Sequence, residues 1–227
     1  KSIISNYKPD IIHLHEPFAG SLPISFLLNS QSKNIATFHS NQGTNLYKFG
    51  LNKIFKPLDK KIHVRIAVSK TAENFINTYF QHVYEIIPNG VNTEFFNKAK
   101  KNDKIKDNKF NIIFIGRNDH RKGLNTLIKT LKKYTFDFPV RLIILGNKIS
   151  NLNINNIKII NPGYVNESIK AEYLQSSDIL CAPSLKKESF GIILLEAMAA
   201  NTAIIASDIQ GYNEIITNNV NGLLIEP

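Results

Sequence analysis

Two carboxylates stand eight positions apart in Glu188-Ser-Phe-Gly191-Ile-Ile-Leu-Leu-Glu196, the first in a loop pattern and the second inside an apolar helix pattern. Gly191 lets a ligand approach the backbone where a helix start leaves N–H groups unpaired, a natural seat for an anion. Upstream, Gly116-Arg117 and Arg121-Lys122-Gly123 supply cations. Arginine grips a phosphate through two N–H bonds, and lysine adds a compact point charge. Cations for phosphates and carboxylates for hydroxyls together imply a site for a sugar joined to a nucleoside diphosphate. Glu196 also reads as an ordinary helix-face glutamate. Its apolar neighbours, Ile-Ile-Leu-Leu before and Ala-Met-Ala-Ala after, would make an unpaired charge costly, so a ligand or a fixed partner is expected.

Histidines gather in the first forty residues, in His13-Leu-His15-Glu-Pro and Thr37-Phe-His39-Ser. Alternate positions in a strand put His13 and His15 on one face, but no third ligand is evident, so a metal is not expected. His39 closes the next apolar run, where a side chain can reach a ligand; a structural role fits its spacing equally. The single Cys181 sits in an apolar run and reads as a buried structural thiol suited to a reducing compartment.

The elements that carry these groups are short runs of Ile, Val and Leu alternating with helical patterns. Strands are expected at 10–14, 34–38, 65–68, 85–88, 111–115, 140–145, 158–160, 178–182, 203–206 and 222–225. Helices are expected near 20–30, 44–62, 70–80, 122–134, 166–176, 190–200 and 210–217. Continuously apolar strands suit a parallel sheet covered on both faces, and repeated strand-then-helix order gives a doubly wound α/β fold. A polar, Lys/Asn-rich stretch at 91–109 reads as a connector between 1–90, the second half of a domain, and 110–227, a nearly whole Rossmann-like domain.

The formal net charge of +10 is concentrated between Lys98 and Lys148, which hold 14 Lys/Arg against 4 Asp/Glu. Such a field attracts phosphates, anionic lipid or nucleic acid, although the 98–109 run also reads as a solvated surface. No nucleic-acid recognition motif accompanies the charge, and none of the glycines forms a dinucleotide fingerprint. Leu46, Phe49, Ile54, Phe55, Leu58 and Ile62 interleave with Lys48, Lys53, Lys56, Lys60 and Lys61. That pattern suits either a lipid interface or packing on the sheet, and Pro57 interrupts it. No run approaches the ~20 apolar residues of a membrane span, and no signal peptide is visible.

In order, His13-Leu-His-Glu-Pro17, Ala36-Thr-Phe-His39, Ile66-Ala-Val-Ser69, Pro88-Asn-Gly-Val91, Gly116-Arg117, Arg121-Lys-Gly123, Glu188-Ser-Phe-Gly191, Glu196-Ala-Met-Ala199 and Asn221-Gly-Leu-Leu224 cover nearly the whole chain. Together they resemble the retaining family 4 glycosyltransferases of GT-B fold. The first three look most like the phosphatidylinositol α-mannosyltransferases. The resemblance implies two Rossmann-like domains facing a cleft, the N-terminal one incomplete, in a fragment lacking both natural ends. It also implies transfer of a sugar, mannose from GDP-mannose, to phosphatidylinositol or another membrane lipid, by a cytoplasmic protein peripheral to the membrane. UDP-sugar donors, a nucleotide-sugar epimerase and a noncatalytic binding module are the alternatives.

By resemblance, Arg117 and Lys122 bind the donor diphosphate, and Glu188 contacts the donor sugar. Backbone amides around Phe190 and Gly191, flanked by Ser189 and Ile192, assist, and Glu196 holds the ribose. Val165 meets the nucleobase, His39 lies beside sugar and acceptor, and Arg121 orients an anionic head group. No cofactor or metal is implied, because the cations take the metal's place. The family's glycine-rich loop after its first strand has no counterpart here, and Asn92 and Asn201 stand where Asp and Gly are common.

Overall fold

The structure is a computed structural model that describes residues 2–42, 52–117, 119–146, 148–186 and 188–227. The chain divides into two compact units, Lys1–Asn89 and Gly90–Pro227.

The N-terminal unit runs α1 (Ser2–Tyr7), β1 (Ile11–His15), α2 (Ser21–Asn29), β2 (Lys33–Phe38), α3 (Asn52–Asp59), β3 (Ile62–Ala67), α4 (Lys70–Asn77) and β4 (Glu85–Ile86). Its strands form a parallel sheet in chain order, β1-β2-β3-β4. On β1, Ile12 and Leu14 turn into the core while His13 and His15 turn out, the two-residue alternation of a half-covered edge strand. Phe18, fully buried, stacks on Phe80 with ring centroids 4.6 Å apart and lies 6.2 Å from Phe38. α4 starts at Ser69, whose side chain accepts from the Ala72 amide at 2.9 Å, an N-cap that satisfies one of the unpaired first-turn donors.

The C-terminal unit continues with α5 (Thr93–Asn97), β5 (Phe110–Ile115), α6 (Leu124–Lys133), β6 (Val140–Leu145), β7 (Ile157–Gly163), α7 (Glu167–Gln175), β8 (Ile179–Ala182), α8 (Ile192–Ala199), β9 (Ala203–Ser207) and β10 (Leu223–Ile225). Its six parallel strands lie in the order β10-β9-β8-β5-β6-β7. That is Rossmann order, and its direction reverses between β5 and β8, where open α/β sheets place their ligands. Both faces are covered. Ile113, Ile143 and Leu180 pack with α7 and α8, while Ile112, Phe114, Leu142 and Ile144 pack with α6.

All ten expected strands are present, β6 with both ends as expected and the others with ends shifted by up to three residues. The part of the expected 44–62 helix at 44–51 lies outside the described residues, with Leu46, Lys48 and Phe49 in it; the rest is α3. Its Phe55 stacks on Phe18 at 5.4 Å and Leu58 is buried, so much of the apolar stripe packs on the core. Ile62 and Lys61 fall beyond the helix, and Lys61 Nζ donates to the Leu27 and Leu28 carbonyls.

The expected 210–217 helix is corrected to turns, held by Tyr212 N–H to Ile209 O and Ile215 N–H to Tyr212 O. The 91–109 stretch is folded and belongs to the C-terminal unit. Phe96 and Ile105 are buried, Gln175 Nε2 caps the Phe96 and Asn97 carbonyls, and the Asn102 amide donates to Ser176 Oγ. Beneath it lies Arg141, fully buried in the otherwise apolar β6. It donates to Asn111 Oδ1 at 2.8 Å and to the Ile105 carbonyl at 3.2 Å, and pairs with Asp107. Hydrogen bonds from Arg141 and then Lys109 hold the Asp107 carboxyl far below the usual range.

Candidate functional site

The loops that follow β5 and β8 meet at the strand reversal. After Gly116, Arg117 is exposed, and its guanidinium has no protein partner among the described residues. Asp119 then caps a 3-10 turn, His120–Lys122, which ends at Gly123. Gly123 has φ +73° and sits so close to β8's exit that a Cβ would lie 1.7 Å from the Pro183 carbonyl oxygen. Only glycine permits both the left-handed backbone and that approach. The Leu185 amide donates to the Arg121 carbonyl at 2.7 Å, which ties the second loop to the first.

This junction brings Lys122 and Glu188 together. Lys122 Nζ donates to Glu188 Oε1 at 2.7 Å, with the two side chains 23% and 15% exposed. The same oxygen accepts from Ser184 Oγ at 3.0 Å, and Ser184 is in turn 3.1 Å from the buried Tyr212 hydroxyl. Burial first, then the Glu188 charge, pushes the Tyr212 phenol well above its ordinary value, so it stays a neutral hydroxyl. Arg121 forks onto Asp119, with Nε 3.0 Å from Oδ2, and those hydrogen bonds hold the Asp119 carboxyl below its ordinary value. Of the three cations of the basic loop, two therefore carry their own carboxylates and Arg117 carries none among the described residues.

Ser189 and the buried Phe190 lead to Gly191, whose φ of +107° starts α8 without a side-chain cap. A Cβ there would lie 2.8 Å from the Tyr212 ring, so close packing and backbone hand both demand glycine. Ile192 opens α8 and is half exposed. One turn on, Glu196 is buried, 6% exposed. Its Oε1 accepts from Lys170 Nζ of α7 at 2.7 Å, while Oε2, also buried, has no hydrogen-bond partner among the described residues. Burial raises the Glu196 carboxyl above its ordinary value, and the Lys170 bond opposes that rise. Burial works against the Lys170 charge, but bonds to Glu167 and Glu196 outweigh it and the ammonium is held more firmly than usual. Lys170 also lies 5.7 Å from the Phe96 ring.

Lys170 was not foreseen from the sequence. The only signal was the requirement that a buried carboxylate have a counter-ion, and Lys170 is the one basic residue of α7. Glu196 thus belongs to a different hydrogen-bonded group from Glu188. Val165 lies half-buried in the β7–α7 loop against the core, next to the fully exposed Tyr164. Cys181 is partly buried, and burial pushes its thiol up to about 11.

In the N-terminal unit, parallel pairing of β1 with β2 sets His15 opposite Thr37 and brings a third histidine beside the expected two. His15 Nδ1 and His39 Nε2 are 2.7 Å apart, and His13 Nε2 bonds Thr37 Oγ1 at 2.7 Å. The rings form a ladder, His13 to His15 at 4.7 Å and His15 to His39 at 5.0 Å. Glu16, at φ +50°, accepts the His39 and Ser40 amides on one oxygen at 2.5 and 2.7 Å. Among the described residues no cluster of three or more His, Cys, Asp or Glu is arranged to hold a metal ion, and no helix is long and apolar enough to cross a membrane.

Residues 95–227 match the family described as Glycosyl transferases group 1, and residues 1–95 match Glycosyltransferase Family 4. The phosphatidyl-myo-inositol mannosyltransferase of Mycobacterium tuberculosis (strain ATCC 25618 / H37Rv) is 34% identical over 225 residues, an alignment covering 95% of this chain and 59% of that protein. The protein of the same name from Mycolicibacterium smegmatis is 34% identical over 226 residues, 95% of this chain and 58% of its own. The chain therefore spans somewhat under two thirds of the length of these relatives. Among solved structures, Anabaena Alr3699/HepE in complex with UDP-glucose superposes with a TM-score of 0.77 at 17% identity, covering 100% of this chain and 67% of that one. That likeness concerns the fold, which is of the GT-B kind.

Proposed function

The chain belongs to the Glycosyl transferases group 1 family, and on that premise we propose that it is part of a retaining hexosyltransferase that moves mannose from GDP-mannose to a lipid-borne inositol. The contact between Lys122 and Glu188 carries this reading, because it joins the basic loop and the carboxylate loop at the strand reversal. The relatives' printed names support the mannosyl donor and the inositol lipid acceptor.

In this reading Arg117 takes the diphosphate first, since no carboxylate competes for it among the described residues. Lys122 shares its charge between Glu188 and the phosphates. Glu188 accepts a sugar hydroxyl, assisted by the amides from Ser189 to Ile192. Glu196 accepts the ribose hydroxyls once its buried Oε2, unpartnered among the described residues, turns toward the ligand, while Lys170 holds Oε1. Val165 faces the base, and no metal is required. As the bond from the anomeric carbon to the diphosphate oxygen breaks, preorganised positive charge stabilises the leaving group. The acceptor oxygen bonds to the same face of that carbon, and its proton passes to the departing phosphate. His39 orients the acceptor. Arg121, tied to Asp119, serves an anionic head group only by sharing its guanidinium.

A donor screen on the full-length natural protein tests this, with GDP-mannose against UDP-sugars and other GDP-sugars. Transfer from GDP-mannose supports the reading. Preferred transfer from a UDP-sugar moves it to the UDP alternative, and tight donor binding without turnover makes the protein a binding module. Membrane contact is part of the proposal, through the lysines of α3. Flotation with anionic vesicles that is unaffected by Lys53→Gln with Lys56→Gln would remove α3 from that role.

A further inference from the structure

We infer that His15 is a positioning residue that fixes which ring nitrogen of His39 faces substrate. The inference rests on the acceptor-side role given to His39 above. Two anchors hold His39. Its backbone amide donates to Glu16, and its Nε2 shares a hydrogen bond with His15 Nδ1 at 2.7 Å. Among the described residues nothing bonds His39 Nδ1, so that nitrogen alone is left to meet an acceptor hydroxyl.

An imidazole has two tautomers, and the hydrogen bond made by one nitrogen selects the state of the other. A proton on His15 Nδ1 leaves His39 Nε2 as an acceptor and puts the His39 proton on Nδ1. The reverse placement makes His39 Nδ1 an acceptor, able to take the hydroxyl's hydrogen bond. Either way Nε2 is committed to His15, Nδ1 is the nitrogen left for substrate, and the state of Nδ1 follows that of His15. His13 stacks on the far side of His15 and is itself tied to Thr37, so the ladder is steadied from behind. The titratable groups acting on the His39 ring are Glu16, His15 and His13. Burial lowers His39 most; Glu16 opposes this and the two histidines add to it. That balance favours the neutral form of His39, the form in which its tautomer matters.

The test replaces His15 in the full-length natural protein. His15 is exposed at the end of an edge strand, so substitution spares the core. His15→Phe keeps a ring to stack but removes the nitrogen, and His15→Asn offers an amide close to where Nδ1 stood. General acid–base groups are worth about 10²–10⁴-fold, and loss of the positioning partner should lower kcat by about tenfold or more in His15→Phe, with donor KM unchanged. His15→Asn should restore most of it. The acid limb of the kcat profile should also move to higher pH, because a neighbour that lowers His39 has gone. Long-range ¹⁵N–¹H spectra should show His39 Nε2 as a hydrogen-bonded nitrogen in the parent protein and its shift changed in His15→Phe. Wild-type turnover in His15→Phe, or an unchanged His39 spectrum, overturns the inference. If His39→Ala is fully active, the acceptor-side role fails instead, while the spectra, which need no activity, still decide what His15 does.

Discussion

The strand edge at β5 and β8 and the strand edge at β1 and β2 solve opposite problems. At the first, side chains of opposite charge are paired: Lys122 with Glu188 across two loops, Arg121 with Asp119 within one, and Lys170 with Glu196 across two helices a turn deeper, with Arg117 left over among the described residues. At the second, three imidazoles stack, His15 and His39 share a hydrogen bond, His13 bonds Thr37 and Glu16 accepts two backbone amides, while burial lowers His13 and His39 from their ordinary values. Permanent charge suits a ligand that is always anionic. A stacked set of imidazoles, able to donate or accept, suits one whose reacting group is a hydroxyl. The difference teaches that the same carboxyl ends of parallel strands can carry two kinds of polar group, and on the proposed reading these would serve the diphosphate and the acceptor respectively.

The contrast breaks most sharply at Arg117. Arg117→Ala should lose ~3–4 kcal/mol of transition-state stabilisation, read as kcat/KM with the donor saturating and the acceptor varied. Near-parental turnover would leave the basic edge without its assigned task. Lys170→Ala should come next, since it strands the buried Glu196 carboxylate. Chemical denaturation of the protein should show a loss of about 2–3 kcal/mol, below that of a fully enclosed pair because Lys170 keeps some contact with water. Unchanged stability would mean that Glu196 takes up a proton at little cost.

Gly123→Ala probes the join between the two loops. Left-handed backbone and the collision with Pro183 should cost about 1–3 kcal/mol and weaken donor binding by separating Lys122 from Glu188. Stability falling without any change in donor affinity would uncouple the join from the site. The smallest effect concerns pH. His13 and His39 have folded values below 6.5, so the unfolded chain binds protons first as pH falls. Stability should decline as pH drops through 6.5 and level off below the folded values. Asp107 and Asp119 are depressed below 3.8, so their contribution persists to lower pH and is lost only in a later acid window. Paired His13→Gln and His39→Gln should flatten the first decline and leave the second, as followed by thermal melts between pH 7 and 3.

The strands were legible because continuous Ile and Val runs have few other uses in a chain of this size. The 210–217 segment was misread because its apolar spacing imitates a helix, whereas Gly211 at φ +91° packs against the Glu188 backbone and turns the chain. α5 was hidden in polar composition, although Asn92, which accepts the Phe95 amide, is a readable cap. In the C-terminal unit, type and spacing alone singled out the charged residues that the structure gathers after β5 and β8, Lys122 and Glu188 among them. The pairings were not legible, because Lys170 and Glu196 meet across two helices and His15 and His39 across two strands. Those contacts depend on register and packing, which no local pattern encodes.

Arg141 determines where this polypeptide can be divided. A fragment beginning at 110 would keep the guanidinium inside the apolar β6 wall but discard Asp107 and the Ile105 carbonyl, two of its three acceptors. Its Nε already lacks a partner, so such a fragment would carry a nearly unanswered buried charge and should aggregate or remain molten. A fragment beginning at Gly90 keeps all three acceptors, together with the docking of α5 on α7. Anyone expressing the C-terminal unit for calorimetry should therefore cut at the Asn89–Gly90 bond rather than at the lysine-rich stretch that invites the knife.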